Sequence, residues 1–556
     1  MSSIWLEQLQ TLQAKALSTL PGRTKPNASG QVKKIALIDS NKLVDIKDWS
    51  TRLHPTEFSE TCSQLYRVLP DIVALKTDAE TRFEMLQILH PVAIDAAKGL
   101  QQLIFVDDKP LDESKREALI IIQAIHRLIS LGYLECFITW TSRRKLKSAD
   151  VDHAISAAGN ALFSFSCLLK NIYCVYGSVP SGFWLSMHSV FQVCIEKKIQ
   201  FKTYHYDRQA GVGTTLKGLY LVSCILAAAR TNQLSVRSIE TLFELLLTYS
   251  DTADIGKRER SSALFWIDPL QDTGPRYAEP FGAHTDRPIS EHAFSIELNK
   301  LTERIKRADQ NKQIPLQISQ HLLPILTKKP ERSDKRLPQS SAELKLVIGM
   351  SDIHQALTNG QSFKEFVGTD RNFVPRSDSP FDLGGDDHKA TEPAEEQNAV
   401  ALSILNKSES GYCLALRGDI PGDMESGQVV ALDKQSGELI AEAATGQLEL
   451  GVVRWIKRFK NGAKIGVQIL ARNVRPAAVS QSFDMGGYSD YVRALLFSIG
   501  QQGETSFIST QSVIKPFSKI KLFDGVDESR ANTDECILAT GRIRQFTYSQ
   551  SAHEED

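Results

Sequence analysis

At about residue 342 the apolar positions of this chain change period, and that change limits the possible folds more than any other feature. From about 56 to 255 they recur at helical spacing, as in Phe83, Leu86 and Leu89, then Val92, Ile94, Ala97, Leu100 and Leu103. Beyond 342 they come as short β-type runs at 343–348, 401–405, 412–416, 428–432, 450–456 and 464–470. One period suits a helix face and the other a pleated strand, so the two halves cannot share one architecture. The pattern predicts an α+β multidomain protein: a helical N-terminal bundle, a small antiparallel β-barrel, and a β-rich C-terminal extension.

The boundaries follow from composition along the chain. Residues 1–50 mix Gly, Pro, Lys and Asn around one apolar run at 35–38, and read as a loosely ordered arm. Residues 51–328 form the helical domain. Asp78 and Asp112 mark helix starts, further helices fall near 149–175, 184–198, 213–232 and 236–250, and two more fall near 291–308 and 315–327. A Pro/Gly-rich stretch at 252–290 interrupts them. No fixed-period repeat is present, so an irregular bundle is expected rather than a solenoid. The barrel occupies 329–475, with a polar, acidic insertion at about 360–398 expected to be disordered. Residues 476–556 carry further short apolar runs at 506–509, 513–517, 520–523 and 536–539.

Charge narrows the partners. The 65 Lys and Arg nearly cancel the 66 Asp and Glu, so no global field draws the chain to a nucleic-acid polymer or an anionic membrane, and any anion site must be local. The longest uninterrupted apolar run, 218–229, falls short of the roughly 20 residues of a membrane span. The N-terminus lacks a secretory pattern, so a cytoplasmic location is expected. The cysteines at 62, 136, 167, 174, 194, 224, 413 and 536 form no Cys-x-x-Cys pair and read as reduced core residues.

Catalytic signatures are missing from the sequence. Histidines 54, 90, 126, 153, 188 and 205 lack His-Glu-x-x-His spacing, no Gly-x-Ser-x-Gly elbow occurs, and 211–218 lacks the order of a phosphate loop and reads as a loop opening a core helix. No enzymatic activity, metal or resident cofactor is expected. Convergence of those histidines in one concave site would favour an enzyme in the helical region.

Two constellations remain. Arg332 and Arg336 stand four residues apart on a segment leaving a helix, where two planar guanidinium forks can reach one phosphate group or a guanine edge. Asn406, Ser408 and Gly411 join two strand runs, where an amide, a hydroxyl and a glycine let backbone approach a flat polar ligand. Either group alone reads as surface charge or as a hairpin turn. Lys328, Lys329 and Lys335 add local positive potential.

The Arg-x-x-x-Arg segment, the Asn-x-Ser-x-x-Gly turn and the run from Gly451 to Leu470 together resemble a PilZ domain. The resemblance covers about 330–475; the helical part is similar to regions found ahead of PilZ domains in some proteobacterial proteins. It implies a six-stranded barrel that binds cyclic di-GMP, with Arg332 and Arg336 gripping phosphates and bases and Asn406, Ser408 and Gly411 reading a guanine. Asn406 stands where the family commonly has an acidic residue, and the gap from Arg336 is longer than usual. A receptor of this kind would pass the ligand state to an unidentified protein partner through its helical domain. The alternative is a degenerate PilZ-fold scaffold that binds no nucleotide.

Overall fold

The computed structural model describes residues 3–19, 32–54, 56–106, 113–143, 146, 148–207, 211–257, 264–278, 290–329, 337–338, 343–368, 400–421, 424–433, 448–483, 487–499, 504–510 and 514–550. They divide into two compact units. The first comprises Met1–Asp107, Leu111–Thr231 and Ile239–Pro330; the second comprises Asp108–Pro110, Asn232–Ser238 and Glu331–Asp556.

The first unit is the helical bundle. Its helices are α1 (Ile4–Ser18), α2 (Leu43–Ser50), α3 (Phe58–Ala74), α4 (Ala79–Val106), α5 (Glu113–Thr141), α6 (Ser148–Cys174), α7 (Phe183–Glu196), α8 (Leu216–Ala228), α9 (Val236–Tyr249), α10 (Asn299–Gln310) and α11 (Leu316–Thr327). Asp78 caps α4 as its sequence suggests, accepting from Thr81 N at 2.8 Å. The α8 start is capped by Thr215, whose Oγ1 accepts from Gly218 N at 2.9 Å. A hairpin of β1 (Thr203–Asp207) and β2 (Val212–Thr215) precedes it, so the glycine-rich run at 211–218 does open a core helix. The Pro/Gly-rich stretch is also structured: β3 (Asp254–Lys257), β4 (Phe265–Ile267), β5 (Arg276–Tyr277) and β6 (Phe294–Glu297) form a sheet in the order β3-β6-β4-β5.

Two expectations for this unit need correction. The arm at 1–50 is not loose throughout: α1 starts on Ser3, whose Oγ accepts from Leu6 N, and buries Trp5, Leu6 and Leu9. Within α5, Ser114–Thr141 is long and apolar enough to cross a membrane, which counting only uninterrupted apolar runs overlooked. In the structure 67% of that window is buried, and α5 runs beside α3, α4 and α6. A helix covered on several sides needs apolar residues around most of its circumference, which is why a core helix passes a composition test for a span.

The second unit holds two six-stranded barrels. The first is formed by β8 (Glu343–Ile348), β9 (Val400–Ser408), β10 (Gly411–Arg417), β11 (Val429–Asp433), β12 (Glu449–Phe459) and β13 (Gly462–Ala471). All its pairs are antiparallel, in the cyclic order β8-β9-β10-β13-β12-β11, and the short β7 (Leu337–Pro338) adds to β9. The second barrel is the β-rich extension: β14 (Arg475–Gln481), β15 (Val492–Ile499), β16 (Glu504–Thr510), β17 (Lys519–Phe523), β18 (Glu528–Ala539) and β19 (Ile543–Gln550), closed in the order β14-β15-β16-β19-β18-β17. Small Ala477, Ala494 and Ala531 leave room inside it for Phe507 and Phe546.

Two short helices tie these barrels together. Along α12 (Met350–Leu357), Met350, Ile353 and Leu357 share one core with Val429 and Val452 of the first barrel and Leu495 and Ile508 of the second. The next helix, α13 (Phe363–Val367), starts with a capping box between Ser362 and Glu365 and packs Phe363, Phe366 and Val367 on Ala478 and Phe523. The expected insertion at 360–398 is therefore ordered at its start, through Gly368; residues 369–399 lie outside the described residues.

Candidate ligand-binding site

The turn predicted to read a ligand is a two-residue hairpin: Glu409 and Ser410 connect β9 to β10, and Ser408 faces Gly411 across it. Ser408 Oγ donates to Gly411 O at 3.3 Å, and Ile469 N donates to Ser410 O at 2.9 Å, fixing the turn to β13. Gly411 has its own structural reason to be glycine: a Cβ there would lie 2.1 Å from Val467 O.

A β-bulge sets the direction of the site. Ile404 pairs with Leu414, but Asn406 pairs with Cys413, so Leu405 is an extra residue on β9. Without it, Asn406 and Ser408 would share the inward face of Leu402 and Ile404. The extra residue reverses the alternation and turns both outward, on the face of Cys413 and Gly411.

Strand pairing continues that face across β10, β13 and β12. One cross-strand row runs Asn406, Cys413, Gly466, Trp455, and its neighbour runs Ser408, Gly411, Gln468, Val452. The half-buried Trp455 lies over Gly466, where a Cβ would come within 2.0 Å of the indole Nε1. Lys464 pairs with Lys457 further along the same face, and both ammonium groups lie about the exposed Phe459 ring, at 5.5 and 5.6 Å. Gly411, Cys413 and Gly466 are small, Trp455 adds an aromatic ring, Gln468 an exposed amide, and the adjoining charge is positive. Val452, at the end of its row, is buried in the core shared with α12. Sequence reading assigned Trp455 no ligand role; counting back from the tight β12–β13 turn at Lys460–Asn461 would have placed it opposite Gly466.

Arg332 and Arg336 lie outside the described residues. The chain that follows them is described: Leu337 pairs with Lys407 and Pro338 with Asn406. Nearby, Lys407 Nζ sits 5.4 Å from the Tyr412 ring centroid, and Tyr412 OH donates to Glu449 Oε2 at 2.8 Å. Arg472 Nε stands 3.5 Å from the other oxygen of that buried carboxylate.

The histidines of the helical unit do not gather as one group. His153 stacks on Trp140, and His188 bonds Tyr220 OH and Thr273 O, whereas His90, His126 and His205 line one cleft. Among the described residues, no three His, Cys, Asp or Glu side chains converge as metal ligands.

A closed six-stranded barrel, an outward Asn-x-Ser-x-x-Gly hairpin and a preceding segment laid along it define a PilZ domain, and this chain is a PilZ-domain protein with a helical N-terminal domain. Residues 44–259 match the family described as cyclic-di-GMP receptor FimW, N-terminal domain; residues 264–383 and 376–476 match that receptor's middle PilZ domain. The chain is similar to the cyclic-di-GMP receptor FimW of Pseudomonas aeruginosa, at 25% identity over 565 aligned positions that cover 91% of this chain and 90% of that one.

Proposed function

We propose that this protein is a cyclic di-GMP receptor whose site combines Arg332 and Arg336 with Asn406, Ser408 and Gly411, and that it transmits the ligand state to a protein partner. The observation that carries the reading is the bulge at Leu405, which aims Asn406 and Ser408 out of the barrel, onto the outer face that also carries Gly411, Gly466 and Trp455. An interior amide and hydroxyl would be spent on the core, whereas outward ones are placed where a ligand can reach them.

The chemistry agrees. A guanine base is flat and offers hydrogen-bonding edges, which suits an amide, a hydroxyl and an indole wall. The phosphates suit guanidinium forks, with Lys457 and Lys464 adding positive potential. The pairing of Leu337 with Lys407 and of Pro338 with Asn406 supports a site that combines the arginine segment with the turn. Ligand affinity for one arrangement of the arginine segment over another would shift their populations, which is the physical content of a switch. The similarity to a named cyclic-di-GMP receptor along nearly the whole chain supports the same ligand. A cytoplasmic location fits eight free cysteines, seven of them buried.

Calorimetric titration of the full chain with cyclic di-GMP tests the reading. Saturable heat is expected for the parent, with strong loss in Arg332→Ala, Arg336→Ala and Asn406→Ala. No heat from the parent at high micromolar ligand would overturn it in favour of a ligand-free scaffold.

A further inference from the structure

We infer that the helical unit carries a binding cleft of its own, built for an uncharged, planar, hydrogen-bonding molecule such as a nucleobase, a nucleoside or an aromatic amide. The cleft lies between α4, α6 and α9, with β1 along one side, and encloses about 690 Å³, the size of a small-molecule site.

Its floor is polar where a bundle core is ordinarily apolar. His126 and Asn160 are only 5% and 3% exposed, yet His126 Nδ1 and Asn160 Nδ2 have no hydrogen-bond partner among the described residues. Leaving such groups unmet is unfavourable, so the fold retains two polar groups that packing alone would select against. The Asn160 amide is positioned by its other end: Tyr204 OH donates to Oδ1 at 2.5 Å. Tyr204 reaches it because its ring seats on Gly159, where a Cβ would lie 2.2 Å from the ring.

The charges in the cleft are already matched. Lys170 Nζ stands 3.7 Å from Glu240 Oε1 and donates to Gln101 Oε1 at 2.9 Å, while Gln101 Nε2 donates to Glu240 at 2.7 Å. The exposed Lys98, Asp95 and Glu244 belong to the same lining. Three acids against two lysines leave nothing to attract an anion. Burial, together with Lys170 and His90, pushes the His126 pKa down to about 3, so its imidazole is neutral and offers one donor and one acceptor. Aromatic rings supply flat walls: Phe163 stacks on Tyr206 at 5.7 Å with an interplanar angle of 8°, and Phe243 stands on α9.

Full-length protein is probed with adenosine, guanosine and nicotinamide, using AMP and inorganic phosphate as anionic controls, by saturation-transfer NMR and thermal shift. At least one neutral probe is expected to give saturable transfer and a higher melting temperature, and the anions neither. Thr248→Trp, at the exposed rim, is expected to block the mouth and abolish transfer while the unliganded melting temperature and the cyclic di-GMP titration stay unchanged. Asn160→Ala removes the amide donor, and is expected to weaken binding about tenfold. The inference is overturned if no neutral probe binds and the cleft holds water alone, if the anions bind as well as the neutral probes, or if Thr248→Trp leaves binding intact.

Discussion

Asp272 is separated by some ninety residues from the helix it caps. Its carboxylate accepts from Gly182 N at 2.5 Å, Trp184 N at 3.1 Å and Leu185 N at 3.3 Å, meeting the open N–H groups at the start of α7. Local sequence offers no cap there: Gly182 takes a φ of +86° and has no side chain. Asp272→Ala is expected to lower stability by about 1–2 kcal/mol, read as an earlier urea midpoint, whereas Asp78→Ala removes an ordinary local cap worth about 1 kcal/mol. Equal effects of the two substitutions would count against the extra bonds of Asp272. The same distinction applies at the candidate site. Asn406, Ser408 and Gly411 lie within one turn, so their proposed grouping rests on spacing alone. Trp455 reaches their surface only through strand pairing, and the outward aim of Asn406 depends on one bulge residue that no spacing rule reveals.

Among whole elements, legibility followed the strength of the apolar period. The six runs read between 343 and 470 all became barrel strands, and the helices at 149–175, 184–198 and 236–250 fall within a residue or two of α6, α7 and α9. The second barrel was only partly visible, because β14 and β18 are strands with few large apolar residues, Arg475–Gln481 holding alanines and Glu528–Ala539 mostly polar groups. The start of the supposed disordered insertion was misread because its composition is polar overall, while the docking of α13 depends on three side chains. Phe366 meets His354 edge-on at 4.8 Å and Phe523 at 5.5 Å. Phe366→Ala is therefore expected to cost roughly 3 kcal/mol. A disordered segment would lose nothing, so an unchanged denaturation midpoint would return α13 to the insertion.

Across the molecule, three buried histidines make stability depend on acid in both units. Burial pushes His126 down to about 3 and His188 to about 4 in the helical unit, and His354 to about 4 beside the barrels, where Arg493 adds to the effect. Each is neutral when folded and basic when unfolded, with an ordinary pKa near 6.5. Above that value neither state is protonated and the histidines contribute no pH dependence. As pH falls from about 6.5 towards the folded values, only the unfolded chain takes up protons, so folding weakens over that window and the loss levels off below it. For a single histidine the loss is roughly 2 kcal/mol by pH 5. His354 is the one to substitute, because its Nε2–H donates to Ala477 O at 3.2 Å, a bond that a glutamine amide can imitate. Urea midpoints at pH 7.5 and pH 5 should differ clearly for the parent. For His354→Gln the second unit's difference should shrink by roughly 2 kcal/mol while that of the first unit is unchanged. An equal pH difference in parent and variant would mean that His354 protonates freely in the folded protein, and that its contacts with Phe363, Phe366 and Ala477 do not keep it neutral.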